Sequence, residues 1–339
     1  MAADVWAILE PKQAAVNRRL AEWADGWAGT ACPPILAEAV KYALMGPGKR
    51  LRPLLCILAC EAVGGSMEQA LPAACALEMV HTYSLVHDDL PAMDDDDLRR
   101  GRPTCHVKYG EALGILTGDA LLTAAFEVLG SGYGPRTTAV ACIELARGAG
   151  PAGMVGGQVL DLIADGRILT SPLEGEVGEG NARTGRGVGS SQHTPLPVAP
   201  QPPSPSRGEG DLETIHRLKT GALFRSSLRL GVYAAQAERP EGVNAEQLAA
   251  IDEYASAFGL AFQVTDDLLD VESSTEVTGK RVGKDAARGK LTYPRVLGVE
   301  GSRRKAADLG RQAVEAANRL GPAAHPLVAL AEFVVTRDR

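Results

Sequence analysis

Apolar residues recur at intervals of three and four along most of the chain. Residues 35–45 show the spacing in Ile35, Leu36, Ala39, Val40, Ala43 and Leu44. Residues 71–87 repeat it in Leu71, Ala74, Leu77, Met79, Val80, Leu85 and Val86. It continues through 111–130, 138–148, 212–236 and 246–271. That period brings the apolar side chains onto one face of an α-helix, so each stretch is predicted to be helical. Breaks fall at Gly46-Pro47-Gly48, Gly64-Gly65, Pro91, Gly132 to Pro135, Pro240 and Gly279, where Gly and Pro interrupt regular structure. Strand and helix do not alternate and no segment repeats, so the expected class is all-α.

One stretch departs from the pattern. Pro172 to Gly210 carries seven Pro and eight Gly in 39 residues, with Leu173, Val177, Val188, Leu196 and Val198 as its large apolar residues. So few apolar groups cannot offset the entropy of ordering the segment, and it reads as a disordered insertion or as a linker between two domains.

Composition narrows the function classes. The 339 residues are 45% hydrophobic but only 4% aromatic, a balance that favours helices over strands. With 35 basic and 42 acidic residues the net charge is −7, which argues against a general nucleic-acid coat. Any anion site must come from local clusters of Lys and Arg. Six cysteines without a CxxC pair read as reduced thiols. Residues 1–20 lack an apolar signal-peptide core and no stretch has the apolar run of a membrane span, so a cytoplasmic, non-membrane protein is expected.

Two acidic clusters carry the chemistry. The first, His87-Asp88-Asp89-Leu90-Pro91-Ala92-Met93-Asp94-Asp95-Asp96-Asp97, follows an apolar helix directly. The second, Asp266-Asp267-Leu268-Leu269-Asp270, also ends one, and its helical spacing places Gln263, Asp266, Asp267 and Asp270 together. Neighbouring carboxylates repel unless a cation joins them. Mg2+ suits such sites because it takes a few carboxylates plus phosphate oxygens. His87 is more simply a structural group than a ligand of this oxygen-preferring ion. Basic clusters alternate with the acidic ones: Lys49, Arg50 and Arg52 after a glycine turn, Arg99, Arg100 and Arg102 after the first Asp run, Lys219 in HRLKTG, and Lys280, Arg281, Lys284 and Lys290 in GKRVGKDAARGK. Cations flanking metal-binding carboxylates fit a diphosphate, and two sets of them fit two.

These blocks, KYALMGPGKRLRP, LEMVHTYSLVHDDLPAMDDDDLRRGRPTCH, GMVGGQVLDL, IHRLKTGAL, LAFQVTDDLLD and TGKRVGKDAARGKLTYPRVLG, resemble the trans-isoprenyl diphosphate synthases, most closely the bacterial farnesyl branch. The resemblance implies a single isoprenoid synthase domain of antiparallel helices around a deep central cavity, usually a homodimer. It implies Mg2+, about three ions per site, held by Asp88, Asp94 and Asp266. The allylic diphosphate would be bound by Arg99, Lys219, Thr220, Gln263, Lys280 and Lys290. Isopentenyl diphosphate would be bound by Lys49, Arg52, His81 and Arg100. Asp89, Asp267, Asp270, Gln158 and Asp161 would support the metals. The implied reaction ionises the allylic diphosphate, condenses it head-to-tail with isopentenyl diphosphate and eliminates a proton.

The first motif has the longer spacing DDxxxxD, and Pro91 disfavours a helix there, so the chain must loop for Asp94 to return beside Asp88. Tyr83 and Ser84 lie roughly 6–7.5 Å before Asp88 along a helix. A bulky Tyr83 as cavity floor predicts a C15 product. A geranylgeranyl (C20) synthase and a non-catalytic partner subunit are the alternatives. A terpene cyclase fits less well, since such enzymes usually carry an Asn/Ser/Glu motif in place of the second cluster. GMVGGQVLDL and IHRLKTGAL should line one cavity, so 172–210 is expected to interrupt one domain rather than to join two.

Overall fold

A helix buried on nearly every side organises the molecule. In the computed structural model, which describes residues 2–27, 30–168, 209–272 and 292–337, this helix is α4 (Met67–Asp88). Ser66 and Gln69 cap its start reciprocally, each side chain accepting the other's backbone N–H. Ala73 to Val80 is buried throughout, as expected of a helix apolar on nearly every side, and the run takes Glu78 into the interior with it.

Around it pack α3 (Leu51–Ala62), α6 (Glu111–Gly132) and α10 (Ala222–Gln236). Gly231 is the contact between α3 and α10, where a Cβ would lie 2.2 Å from the Cys56 carbonyl oxygen. Outside these lie α1 (Ala2–Gly26), α2 (Pro34–Leu44), α5 (Cys105–Tyr109), α7 (Pro135–Ala149), α8 (Met154–Ala164) and α9 (Glu209–His216). The C-terminal half contributes α11 (Ala245–Glu272), α12 (Tyr293–Asn318) and α13 (His325–Thr336), with α11 and α12 packed along each other. Aromatic rings pack together where α10 meets α11: Phe224 and Phe262 meet edge-on at 5.2 Å, and Tyr254 stacks on Phe258 at 5.4 Å.

The class is all-α, as expected, with three local departures. A hairpin pairs Leu98–Arg99 with Arg102–Pro103, because Arg100 and Gly101 both take left-handed backbone (φ 53° and 76°), the turn that suits a two-residue connection. The predicted helix 212–236 is interrupted by a π-helical turn at Arg217–Gly221. Glu209 and Gly210, placed inside the insertion by composition, are helical and open α9. Residues 172–208, Lys280 and Lys290 lie outside the described residues.

By length and composition α6 is the one described helix that could cross a membrane. Its inner face, with Leu121, Ala125, Val128 and Leu129, is packed in the core, while Ile115 and Leu116 are exposed outside.

Candidate active site

The first acidic motif begins where α4 stops. Past Asp88 the chain turns back, and the Asp94 N–H donates to the Asp88 carbonyl at 2.7 Å while the Asp96 N–H reaches the Asp89 carbonyl at 3.2 Å. The loop therefore returns Asp94 beside Asp88, as the spacing requires. The Asp88 carboxyl is pushed up to about 6, chiefly by loss of water. Lys219 and Arg99 pull against that shift, and Asp94 and Asp89 add to it. Arg167, just beyond α8, donates to the Ala92 and Met93 carbonyls and lies 3.6 Å from Asp94.

The hairpin sends its arginines in three directions. Arg99 grips the buried Asp89 carboxylate, donating from Nε at 2.8 Å and from Nη2 at 2.6 Å. Arg100 donates to the Pro47 carbonyl. Arg102 lies over the Tyr42 ring at 4.3 Å. Arg50, Asp95 and Arg100 are the described non-glycine residues with positive φ, and all lie in the loops of this site. Backbone in that region costs energy and gathers at functional loops.

The π-helical turn bridges the two acidic motifs. Its close approach to α8 depends on Gly157, where a Cβ would lie 2.1 Å from the Lys219 nitrogen. Lys219 is thereby set against the buried Asp161, donating to Oδ2 at 2.5 Å, while its charge also acts on Asp88. Thr220 donates to Gln263 Oε1 at 3.4 Å, and Gln263 Nε2 donates to Asp267 Oδ1 at 3.0 Å. The other Asp267 oxygen accepts the Tyr293 N–H at 2.9 Å, at the start of α12. Asp266 and Asp267, adjacent in sequence, thus diverge. Asp267 is buried and holds Gln263 and α12, whereas Asp266 is paired with Arg337. Asp270 lies one turn beyond Asp266 on α11, and Gln158 precedes Asp161 by three residues on α8; both are half-buried.

All four residues expected to bind isopentenyl diphosphate line one cavity of about 400 Å3: Lys49 from the α2–α3 connection, Arg52 from α3, His81 from α4 and Arg100 from the hairpin. The same cavity is also lined by apolar Trp6, Leu9, Leu54, Phe262 and Phe333, and by Glu78 and Arg337. Arg52 is pushed down to about 10 by burial, opposed by the charge of Glu78. His81 titrates well below its usual range, first through burial and then through Arg52, Arg100, Arg99 and Arg50. It is a neutral imidazole whose Nε2 accepts from Arg52 Nη1 at 3.3 Å. Burial and the nearby Arg337 lower the Lys49 ammonium.

Tyr83 is buried on α4, its ring edge-on to His87 at 5.7 Å. Ser84 is turned onto its own helix, donating to the His81 carbonyl at 2.9 Å. His87 Nε2 bonds the Ile115 carbonyl at 3.0 Å, so it joins α4 to α6.

Two residues of the cavity escape sequence reading. Arg337, next to the C-terminal end, lies over the Phe262 ring at 4.3 Å and donates to Asp266. Glu78 is buried against Arg50 at 2.6 Å. The one sequence signal for Glu78 is an acidic residue in an otherwise apolar helical run; a single terminal arginine carries none.

Among the described residues no three His, Cys, Asp or Glu side chains form a metal cage by themselves. The carboxylates expected to hold a metal lie on separate elements, Asp88 at the end of α4, Asp94 in the loop beyond it and Asp266 on α11, with the charges of Lys219 and Arg99 acting on Asp88. This set fits Mg2+ bound jointly by protein and phosphate oxygens rather than in a closed protein site.

The polyprenyl synthetase family model matches residues 33–174 and 199–320, leaving out 175–198 within the Pro/Gly-rich segment. The chain is 44% identical over 310 residues to geranylgeranyl pyrophosphate synthase 9, chloroplastic, of Arabidopsis thaliana, covering 90% of this chain and 75% of that protein. The apo crystal structure of an FPP/GFPP synthase from Zymomonas mobilis matches with a TM-score of 0.76 at 32% identity, over 99% of this chain and 100% of that one. A geranyltransferase from Legionella pneumophila also gives a TM-score of 0.76, at 27% identity over 99% and 98% of the two chains.

Proposed function

Since the chain belongs to the polyprenyl synthetase family, we propose that it is a Mg2+-dependent trans-prenyl diphosphate synthase making farnesyl diphosphate. It adds isopentenyl diphosphate head-to-tail to dimethylallyl and then geranyl diphosphate. The observation that carries the reading is the convergence of Lys49, Arg52, His81 and Arg100, from four separate elements, on one cavity that apolar side chains also line.

Each residue then has a task. Lys49, Arg52 and Arg100 grip the diphosphate of isopentenyl diphosphate, and neutral His81 holds Arg52 in place. Asp88, Asp94 and Asp266 hold Mg2+, which when bound withdraws charge onto the leaving diphosphate and eases ionisation of the allylic C–O bond. Lys219 and Arg99 add positive charge on the same side. Thr220 and Gln263, fixed by Asp267, orient the allylic diphosphate. The apolar side chains keep water from the carbocation. His81 is a poor base with its Nε2 engaged, so the departing diphosphate takes the proton lost in the last step.

The C15 product rests on the buried Tyr83 on the approach to Asp88. A C20 product is the second reading, favoured by the 44% identity to a geranylgeranyl synthase. The proposal includes a homodimer formed through the uncovered Ile115–Leu116 side of α6, checked by light scattering, and a reducing cytoplasmic setting consistent with unpaired Cys56, Cys60, Cys75 and Cys105.

The test incubates the purified chain with Mg2+, isopentenyl diphosphate and dimethylallyl or geranyl diphosphate, and reads product length by mass spectrometry. Farnesyl diphosphate is expected, and geranylgeranyl diphosphate would favour the second reading. No prenyl product would overturn the catalytic reading in favour of a non-catalytic partner subunit.

A further inference from the structure

Beneath the basic cavity lies a carboxylate that the proposed reaction does not use. Glu78 is 3% exposed, one turn before His81 on α4. Its Oε1 accepts from Arg50 Nη1 at 2.6 Å, and its Oε2 has no hydrogen-bond partner among the described residues. Glu78 borders both the main cavity and a smaller one of about 80 Å3 behind it. Its charge acts on Arg52 and on Arg100.

Its partner is committed to the backbone. Arg50 Nη2 donates to the carbonyls of Leu44 at 3.1 Å and Gly46 at 2.9 Å, and Nε donates to Asn17 at 2.9 Å. Arg50 therefore joins the C-terminal end of α2 to the connection that carries Lys49. It does so from a left-handed backbone, φ 52°, at the N-cap of α3. Further bonds hold the same connection: Gln13 Nε2 donates to the Gly48 carbonyl at 3.1 Å, and Arg100 donates to Pro47. A guanidinium with all its nitrogens so engaged does not grip a substrate. It holds the segment that does.

We infer that Glu78 is the positioning residue of the isopentenyl diphosphate subsite. Its carboxylate fixes Arg50, Arg50 fixes the Gly46–Lys49 connection, and the same charge offsets the mutual repulsion of Arg50, Arg52 and Arg100 before the diphosphate arrives. This rests on the function proposed above and assigns a role to a residue that touches neither substrate nor metal. A buried ion pair is weak support for stability, since two well-packed apolar side chains often serve as well. What this pair supplies is the placement of Lys49 and Arg52.

The experiment measures separate KM values for isopentenyl and geranyl diphosphate in the wild-type chain, in Glu78→Gln and in the double variant Arg50→Met/Glu78→Leu. Glu78→Gln keeps the shape and one acceptor but removes the charge. It is expected to raise KM for isopentenyl diphosphate about tenfold, the scale of one lost charge-assisted bond. Its KM for geranyl diphosphate and its kcat should stay within about twofold. The double variant removes the buried charges together and is expected to fold, with a melting temperature within a few degrees of wild type, yet to keep the raised KM for isopentenyl diphosphate. A double variant with wild-type KM would overturn the proposal, showing the pair to be structural filler. So would a Glu78→Gln whose two KM values rise equally or do not rise. Failure of the function itself is distinguishable, because the wild-type chain would then give no prenyl product.

Discussion

Arg337 donates to the carboxylate of Asp266 across 71 residues of chain, and its side chain is buried while that of Asp266 is 44% exposed. The guanidinium already engages one oxygen of the carboxylate proposed to hold Mg2+, so the two cations are expected to compete for it. Replacing Arg337 with Gln removes the competitor. The Mg2+ concentration for half-maximal turnover is expected to fall about threefold, the scale of a partly exposed ion pair. A Mg2+ titration of initial rates checks this, and an unchanged or raised midpoint would show that Arg337 does not oppose the metal.

Asp88 offers a prediction in pH. Its carboxyl is raised from the usual 3.8 to about 6 in the folded protein. Between those values the folded chain binds more protons at this site than the unfolded chain. The resulting stability is fully present below 3.8 and is lost as pH rises through about 6. At neutral pH the metal-free protein therefore carries the cost of a desolvated carboxylate. Asp88→Asn should stabilise the metal-free protein at pH 7.5 by about 1–2 kcal/mol, a few degrees in Tm, with a smaller gain at pH 5. The same variant should lose turnover. Calorimetry at both pH values checks the sign, and an Asp88→Asn protein less stable at pH 7.5 than wild type would refute the argument.

The helices and the acidic motifs were legible because their signals are local. A 3.6-residue period announces α4 and α11, and DDxxxxD with Pro91 announces a loop that returns Asp94 to Asp88. Features set by contacts between distant segments were not. Asp266 and Asp267 look equivalent in sequence, yet one is paired with Arg337 and the other anchors Gln263 and the start of α12. Arg99, Arg100 and Arg102 form one basic run, yet the left-handed turn at Arg100 and Gly101 sends them to Asp89, to the Pro47 carbonyl and to Tyr42. A run of like charges states how much charge a loop carries. The turn decides where each charge goes.

The Pro/Gly-rich segment is expected to be dispensable. The family model passes over 175–198, and the flanking residues are held by their own contacts: Arg167 at the first acidic loop on one side, and α9 leading into the π-helical turn on the other. Loop-closure entropy changes slowly with length, so shortening this connection shifts stability by only about 1 kcal/mol. Deleting residues 175–198 should leave kcat and both KM values within about twofold of wild type. Steady-state kinetics on the deletion variant checks this, and a large fall in kcat would show that the segment contributes to the site.

Tyr83 sets the product length if it floors the chamber below Asp88. Its ring is buried and held edge-on by His87, which is in turn fixed to the Ile115 carbonyl and pressed against Gly118. A ring so supported is expected to resist displacement by the chain of a C15 product. Ser84 bonds its own helix at the His81 carbonyl and leaves the limit to its neighbour. Tyr83→Ala removes the ring and opens room for at least part of another C5 unit, at a cost of about 2–4 kcal/mol in stability from the cavity left behind. The expected outcome is a shift from C15 toward C20 product, read by mass spectrometry after incubation with excess isopentenyl diphosphate. Unchanged C15 output from a folded Tyr83→Ala protein would mean that the ring only packs α4 within the core. A wild-type chain that already makes C20 product would place the floor deeper than Tyr83.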